Sequence, residues 1–85
     1  MIEALADCVV KYGMPRDKAY TFVSQAVLGS AKMVLETGEH PGLLKDNVCS
    51  PGGTTIAAVA ELEASGFRSS LIKAASAVCD RCRNM

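Results

Sequence analysis

Tryptophan is absent from the 85 residues, and aromatic side chains are scarce, with two Phe and two Tyr. Aromatic rings supply the largest single increments of buried area, so any core here is built from aliphatic side chains and abundant alanine. Net charge is missing too, because nine Lys and Arg balance nine Asp and Glu along the chain. Without a basic stripe or tail, nucleic acid and an anionic membrane surface are excluded as primary partners. No apolar run reaches the roughly 18–20 residues a transmembrane helix needs. Glu3 and Asp7 stand where a signal peptide would be basic. A soluble, cytoplasmic chain is expected, with a mitochondrial location left open.

The chemical motifs that announce many enzymes are also lacking. There is no Gly-x-Gly-x-x-Gly after a strand, no Gly-x-x-x-x-Gly-Lys-Ser/Thr, no His-Glu-x-x-His, and no tied Ser/His/Asp or Cys/His set. Nothing alternates with period two long enough to make a strand, so the fold class expected is all-α. Cys8, Cys49, Cys79 and Cys82 carry no sign of a secreted disulfide framework and read as free thiols. Cys79-Asp80-Arg81-Cys82 has the spacing of a redox or zinc pair. It lies near the end of a helical pattern, and the single histidine, His40, is far away in sequence, so no metal is assigned.

What is present is apolar and helical. Apolar residues make up 49% of the chain, yet a domain this short buries only about 60% of the surface its unfolded form exposes. Part of that content is therefore available to a partner. Ile2, Leu5, Ala6, Val9 and Val10 recur at helical spacing up to a stop near Gly13, and no cap precedes Ile2. Pro15 suits the first turn of a long second helix, whose inward face is expected to be Ala19, Phe22, Val23, Ala26, Val27, Ser30, Met33 and Val34, ending at Gly38. The small run Gly29-Ser30-Ala31 inside it suggests close approach of another helix, since Gly costs about 1 kcal/mol there relative to Ala. Pro41 opens a short helix with Leu43, Leu44 and Val48 inward, and His40 before it reads as a surface or capping residue. Ile56, Val59, Ala60 and Leu62 or Glu63 belong to a fourth helix ending near Ser65-Gly66. The fifth runs from Phe67 to Arg83, with Leu71, Ile72, Ala75, Val78, Cys79 and Cys82 as its apolar stripe.

Between the third and fourth helices lies Ser50-Pro51-Gly52-Gly53-Thr54-Thr55, the one chemically loaded turn. Two residue-level readings of it stay open. One is a plain connector with a threonine cap. The other is an anion site, in which unpaired N–H groups at the helix N-terminus, with hydroxyls of Ser50, Thr54 or Thr55, hold a carboxylate or phosphate.

The segment Asp46 to Ile56, followed by Leu62-Glu63 and Gly66-Phe67-Arg68, resembles the signature of pyrroline-5-carboxylate reductase. The likeness extends upstream through Ile2–Asp7, Gly13–Arg16 and Gln25–Met33, and so covers almost the whole chain. The resemblance implies the family's C-terminal domain over residues 1–85: a helical bundle of about five helices that interlocks with its copy to give a homodimer or larger homo-oligomer. It also implies that NAD(P)H is bound by an N-terminal Rossmann domain with no counterpart here. The implied reaction reduces the C=N bond of 1-pyrroline-5-carboxylate to give L-proline. By the same resemblance, Ser50 donates its hydroxyl to the substrate carboxylate. Gly52, Gly53, Thr54 and Thr55 complete the substrate cradle, and the Thr55 hydroxyl faces the ring nitrogen as the residue assigned to the chemistry. The alternative is a non-catalytic helical module that only self-associates.

Overall fold

The computed structural model describes residues 1–83, and every regular element among them is a helix. They are α1 (Ile2–Lys11), α2 (Arg16–Thr37), α3 (Pro41–Val48), α4 (Thr54–Ala64) and α5 (Phe67–Arg83), which bears out the all-α expectation. The chain divides into two compact units, Met1–Leu44 and the segment from Lys45 on.

In the first unit α1 packs on α2 through Ala6, Ala19 and Val23, the buried residues of the described chain. Two alanines at the contact let the helix axes come close, which compensates in part for the lack of large side chains. Ile2, Val9, Val10, Met14 and Val27 form a half-buried ring around them. The turn between the helices closes in a Schellman arrangement. Gly13, at φ 110°, donates its N–H to the Val10 carbonyl at 3.0 Å, and Met14 donates to Val9 at 3.0 Å. Across the same corner Arg16 pairs with Asp7 at 2.5 Å.

Pro15 stands just outside α2 as its N-cap, not within the first turn, because its ψ of 140° is extended. Its carbonyl accepts from the N–H groups of Lys18 and Ala19 at 3.1 and 3.0 Å. At the other end Gly38 takes the left-handed conformation at φ 66° and donates to the Val34 carbonyl, so the expected stop is found. His40 caps α3 with its side chain, since Nδ1 accepts the Gly42 N–H at 2.9 Å. A Cβ on Gly42 would lie 3.0 Å from that nitrogen, so the imidazole folds over a residue without a side chain.

In the second unit Ser65 and Gly66, the latter at φ 77°, turn the chain from α4 into α5. Arg68 Nε donates to Glu63 Oε1 at 2.7 Å across this corner. The bounds of α5 coincide with those read from the sequence.

Burial departs from expectation. Phe22, Met33 and Leu5 are about half exposed, and Ala26 and Ser30 are exposed as well. Leu43, Val48, Ile56 and Leu62 are also exposed, while Leu44 and Val59 are half-buried. On α5 the whole stripe is at the surface, with Leu71 55%, Ile72 66% and Val78 63% exposed. The physical reason is geometric: one helix covers only one side of its neighbour, and a stripe wider than that contact stays open. Gly29 behaves likewise, for a Cβ there would meet nothing within 4 Å. Within its own compact unit the small run meets no second helix at Gly29.

Candidate functional site

Ser50 to Thr55 forms a hydrogen-bonded reverse turn that feeds directly into α4. The Gly53 N–H donates to the Ser50 carbonyl at 3.0 Å. Pro51 holds the second position with its fixed φ, and Gly52 the third at φ 71°, as a type II turn demands. Gly53 is extended (φ −81°, ψ 178°) and forms the N-cap of α4. It has no side-chain oxygen to offer, and no side chain caps the helix. Intrahelical bonding begins with a long contact of 3.4 Å from the Ala57 N–H to the Gly53 carbonyl. The N–H groups of Thr54, Thr55 and Ile56 thus have no partner among the described residues, and the dipole of α4 adds positive potential at the same end.

The predicted residues fall together here. Ser50, Gly52, Thr54 and Thr55 are exposed, and Gly53 is half-buried. The Ser50 hydroxyl occupies the space beside the Gly53 α-carbon, where a side chain would otherwise stand. Gly53 differs from the expectation in one respect: its N–H closes the turn, so it can reach a ligand only as a shared donor. The Ile56 N–H is a donor that the sequence reading left out. Counting the first N–H groups of α4 from the N-cap would have found it. No acid or base lies within Ser50–Thr55, so the turn can bind and orient but supplies no titrating group of its own.

Elsewhere the chemistry is sparse. All four cysteines are unbridged, with Cys8, Cys79 and Cys82 exposed. Among the described residues no three His, Cys, Asp or Glu side chains are grouped to hold a metal ion. None of the helices described is long and apolar enough to cross a membrane. Along α1 and α2 runs an open apolar groove of about 460 Å³, lined by Leu5, Val9, Phe22, Val23, Ala26 and Val27 among others. It offers area to a hydrophobic surface and no acid–base pair.

An all-α chain whose apolar stripes lie open at the surface has the make-up of an association domain, and its Ser50–Thr55 turn leads into a helix N-terminus that no side chain caps. Comparison with known proteins makes this particular. The model of the family described as pyrroline-5-carboxylate reductase dimerisation matches residues 1–85, and the chain belongs to that family. It is 70% identical over 73 residues to pyrroline-5-carboxylate reductase of Escherichia coli (strain K12), covering 86% of this chain and 27% of that protein. Among solved structures it is similar to 1-pyrroline-5-carboxylate reductase from Streptococcus pyogenes, with a TM-score of 0.91, 40% identity, and coverage of 99% of this chain and 32% of that one. The Plasmodium falciparum pyrroline carboxylate reductase with NADP bound aligns with a TM-score of 0.87 and 36% identity, over 94% of this chain and 30% of that one. The chain thus spans 27% to 32% of the length of these relatives.

Proposed function

We propose that residues 1–85 act as the dimerisation and substrate-binding domain of a pyrroline-5-carboxylate reductase, which reduces 1-pyrroline-5-carboxylate to L-proline in proline biosynthesis. The observation that carries this reading is the uncapped N-terminus of α4 behind the Ser50–Gly53 turn, in a chain belonging to the reductase family. A small carboxylate fits it. The N–H groups of Thr54 and Thr55, with Gly53 as a shared donor, and the Ser50 hydroxyl converge on one end of a helix, where negative charge is stabilised.

NAD(P)H as cofactor is supported by the NADP-bound relative. No strand followed by a glycine-rich fingerprint lies among the described residues, so these residues do not fit a dinucleotide. We therefore assign its binding to an N-terminal Rossmann domain outside this sequence. A reduced nicotinamide held there would supply the hydride that the imine carbon must receive. This chain's part is to hold the carboxylate so that the C=N group is presented in one orientation. The Thr55 hydroxyl then donates a hydrogen bond to the ring nitrogen, which gains basicity as the C=N bond is reduced. A threonine hydroxyl does not titrate near neutral pH, so Thr55 orients the nitrogen, and the proton that completes the amine comes through it or from solvent. The assembly is a homodimer or larger homo-oligomer, supported by the exposed apolar stripes. A cytoplasmic location accords with unbridged cysteines.

In the complete reductase, Thr55→Ala should lower kcat, whereas Ser50→Ala should mainly raise KM for the pyrroline carboxylate. Wild-type kinetics in both variants would remove the site assignment. The alternative, a module that only self-associates, is favoured by the same exposed stripes. It predicts association by sedimentation with no effect of either substitution on turnover when the chain is part of the whole enzyme.

A further inference from the structure

We infer that Gly53 is a positioning residue, whose missing side chain keeps the Ser50 hydroxyl aimed over the N-terminus of α4. A Cβ built on Gly53 would collide with Ser50 Oγ, while it would lie 3.6 Å from Ser50 Cβ and 3.2 Å from the Ser50 carbonyl oxygen. The severe conflict is thus with the hydroxyl, while the carbonyl oxygen need give by only a few tenths of an ångström. The backbone at Gly53 (φ −81°, ψ 178°) is open to alanine, unlike that at Gly52, whose φ of 71° favours glycine. The two glycines of the turn therefore do different work: Gly52 lets the backbone turn, and Gly53 leaves room for a functional group. A serine hydroxyl relieves such a collision by rotating about χ1 to another staggered well. Gly53→Ala then leaves the turn formed and the donor misdirected.

This rests on the reading of Ser50 as the carboxylate donor, and a double-mutant cycle in the complete reductase separates the two. KM for pyrroline carboxylate and kcat are measured for wild type, Ser50→Ala, Gly53→Ala and the double variant, with thermal unfolding of each. Loss of a hydrogen bond to a charged group is expected to raise KM roughly 10- to 150-fold in Ser50→Ala. Gly53→Ala should reproduce that rise with kcat less affected. The double variant should stay within about threefold of the worse single one, where independent residues would multiply. An unchanged KM in Ser50→Ala removes the carboxylate reading and the inference with it. A raised KM in Ser50→Ala with wild-type KM in Gly53→Ala, or with multiplicative effects in the double variant, overturns the inference and leaves the reading intact. Should Gly53→Ala fail to fold, a folded double variant supports the hydroxyl collision. An unfolded double variant locates the conflict in the Ser50 backbone and overturns it.

Discussion

Thr55 sits two residues past the N-cap of α4, where its backbone N–H and its hydroxyl are both on the exposed end of the helix. Substitutions that separate these two donors are informative. Thr55→Ser keeps both and should retain most of kcat, whereas Thr55→Val keeps the shape and the N–H but loses the hydroxyl. Steady-state kinetics of the complete reductase should show a kcat drop of roughly 2- to 13-fold for Thr55→Val, since a net hydrogen bond between neutral groups is worth about 0.5–1.5 kcal/mol. Arg16 is a contrasting residue. Its hydrogen bond to Asp7 raises an already high pKa further. A raised folded-state value means that the contribution is complete below the unfolded pKa and is lost only as pH climbs through the folded one. The arginine therefore confers no pH dependence near neutrality. Because both side chains are at least half exposed, any stabilisation by the pair should fade between low salt and about 0.5 M NaCl, where screening becomes short-ranged. Thermal unfolding of Arg16→Gln at the two salt concentrations checks this.

At the scale of elements, the helix boundaries were largely legible. Gly13, Gly38 and Gly66 all carry the positive φ that their places after apolar-periodic runs implied. The bounds of α5 could be read because Gly66 before it and its own periodicity are local signals. Pro15 lies one position before the first helical turn that its residue type suggests, since sequence does not distinguish an extended proline cap from a first helical residue. The role of His40 was half legible: a capping residue was one of two readings, and the acceptor atom, Nδ1, needed coordinates. The relation of Ser50 Oγ to Gly53 was not legible at all, because it depends on the path of the turn. α3 has eight residues, fewer than an isolated helix needs for stability in water, so its cap should matter. His40→Ala is expected to cost about 1 kcal/mol and to speed amide exchange at Gly42, whereas His40→Asn, which keeps an acceptor, should cost much less. Equal exchange in the two variants would show that the imidazole contact is not a cap in solution.

For the whole molecule, the inward faces drawn from periodicity exist as stripes, but what covers them was never encoded in spacing. Ile72, 66% exposed on α5, gives a direct test. If α5 meets a second copy, Ile72→Asp should weaken self-association at least tenfold, because burying a carboxylate costs several kcal/mol, while leaving the helical content of the chain unchanged. Sedimentation equilibrium with circular dichroism measures both. Dissociation constants equal to wild type would exclude α5 from the interface.

The contact of Ala6, Ala19 and Val23 has a calorimetric corollary. Heat capacity of unfolding and denaturant m-value both scale with the surface that unfolding uncovers. Three small residues at one helix crossing uncover little. A dilute solution of this chain should therefore melt broadly, with a small heat-capacity step. Association adds the surface that the single chain does not bury, so the transition should sharpen and move upward as concentration is raised. The melting curve of this domain is, on that account, as much a binding isotherm as an unfolding curve.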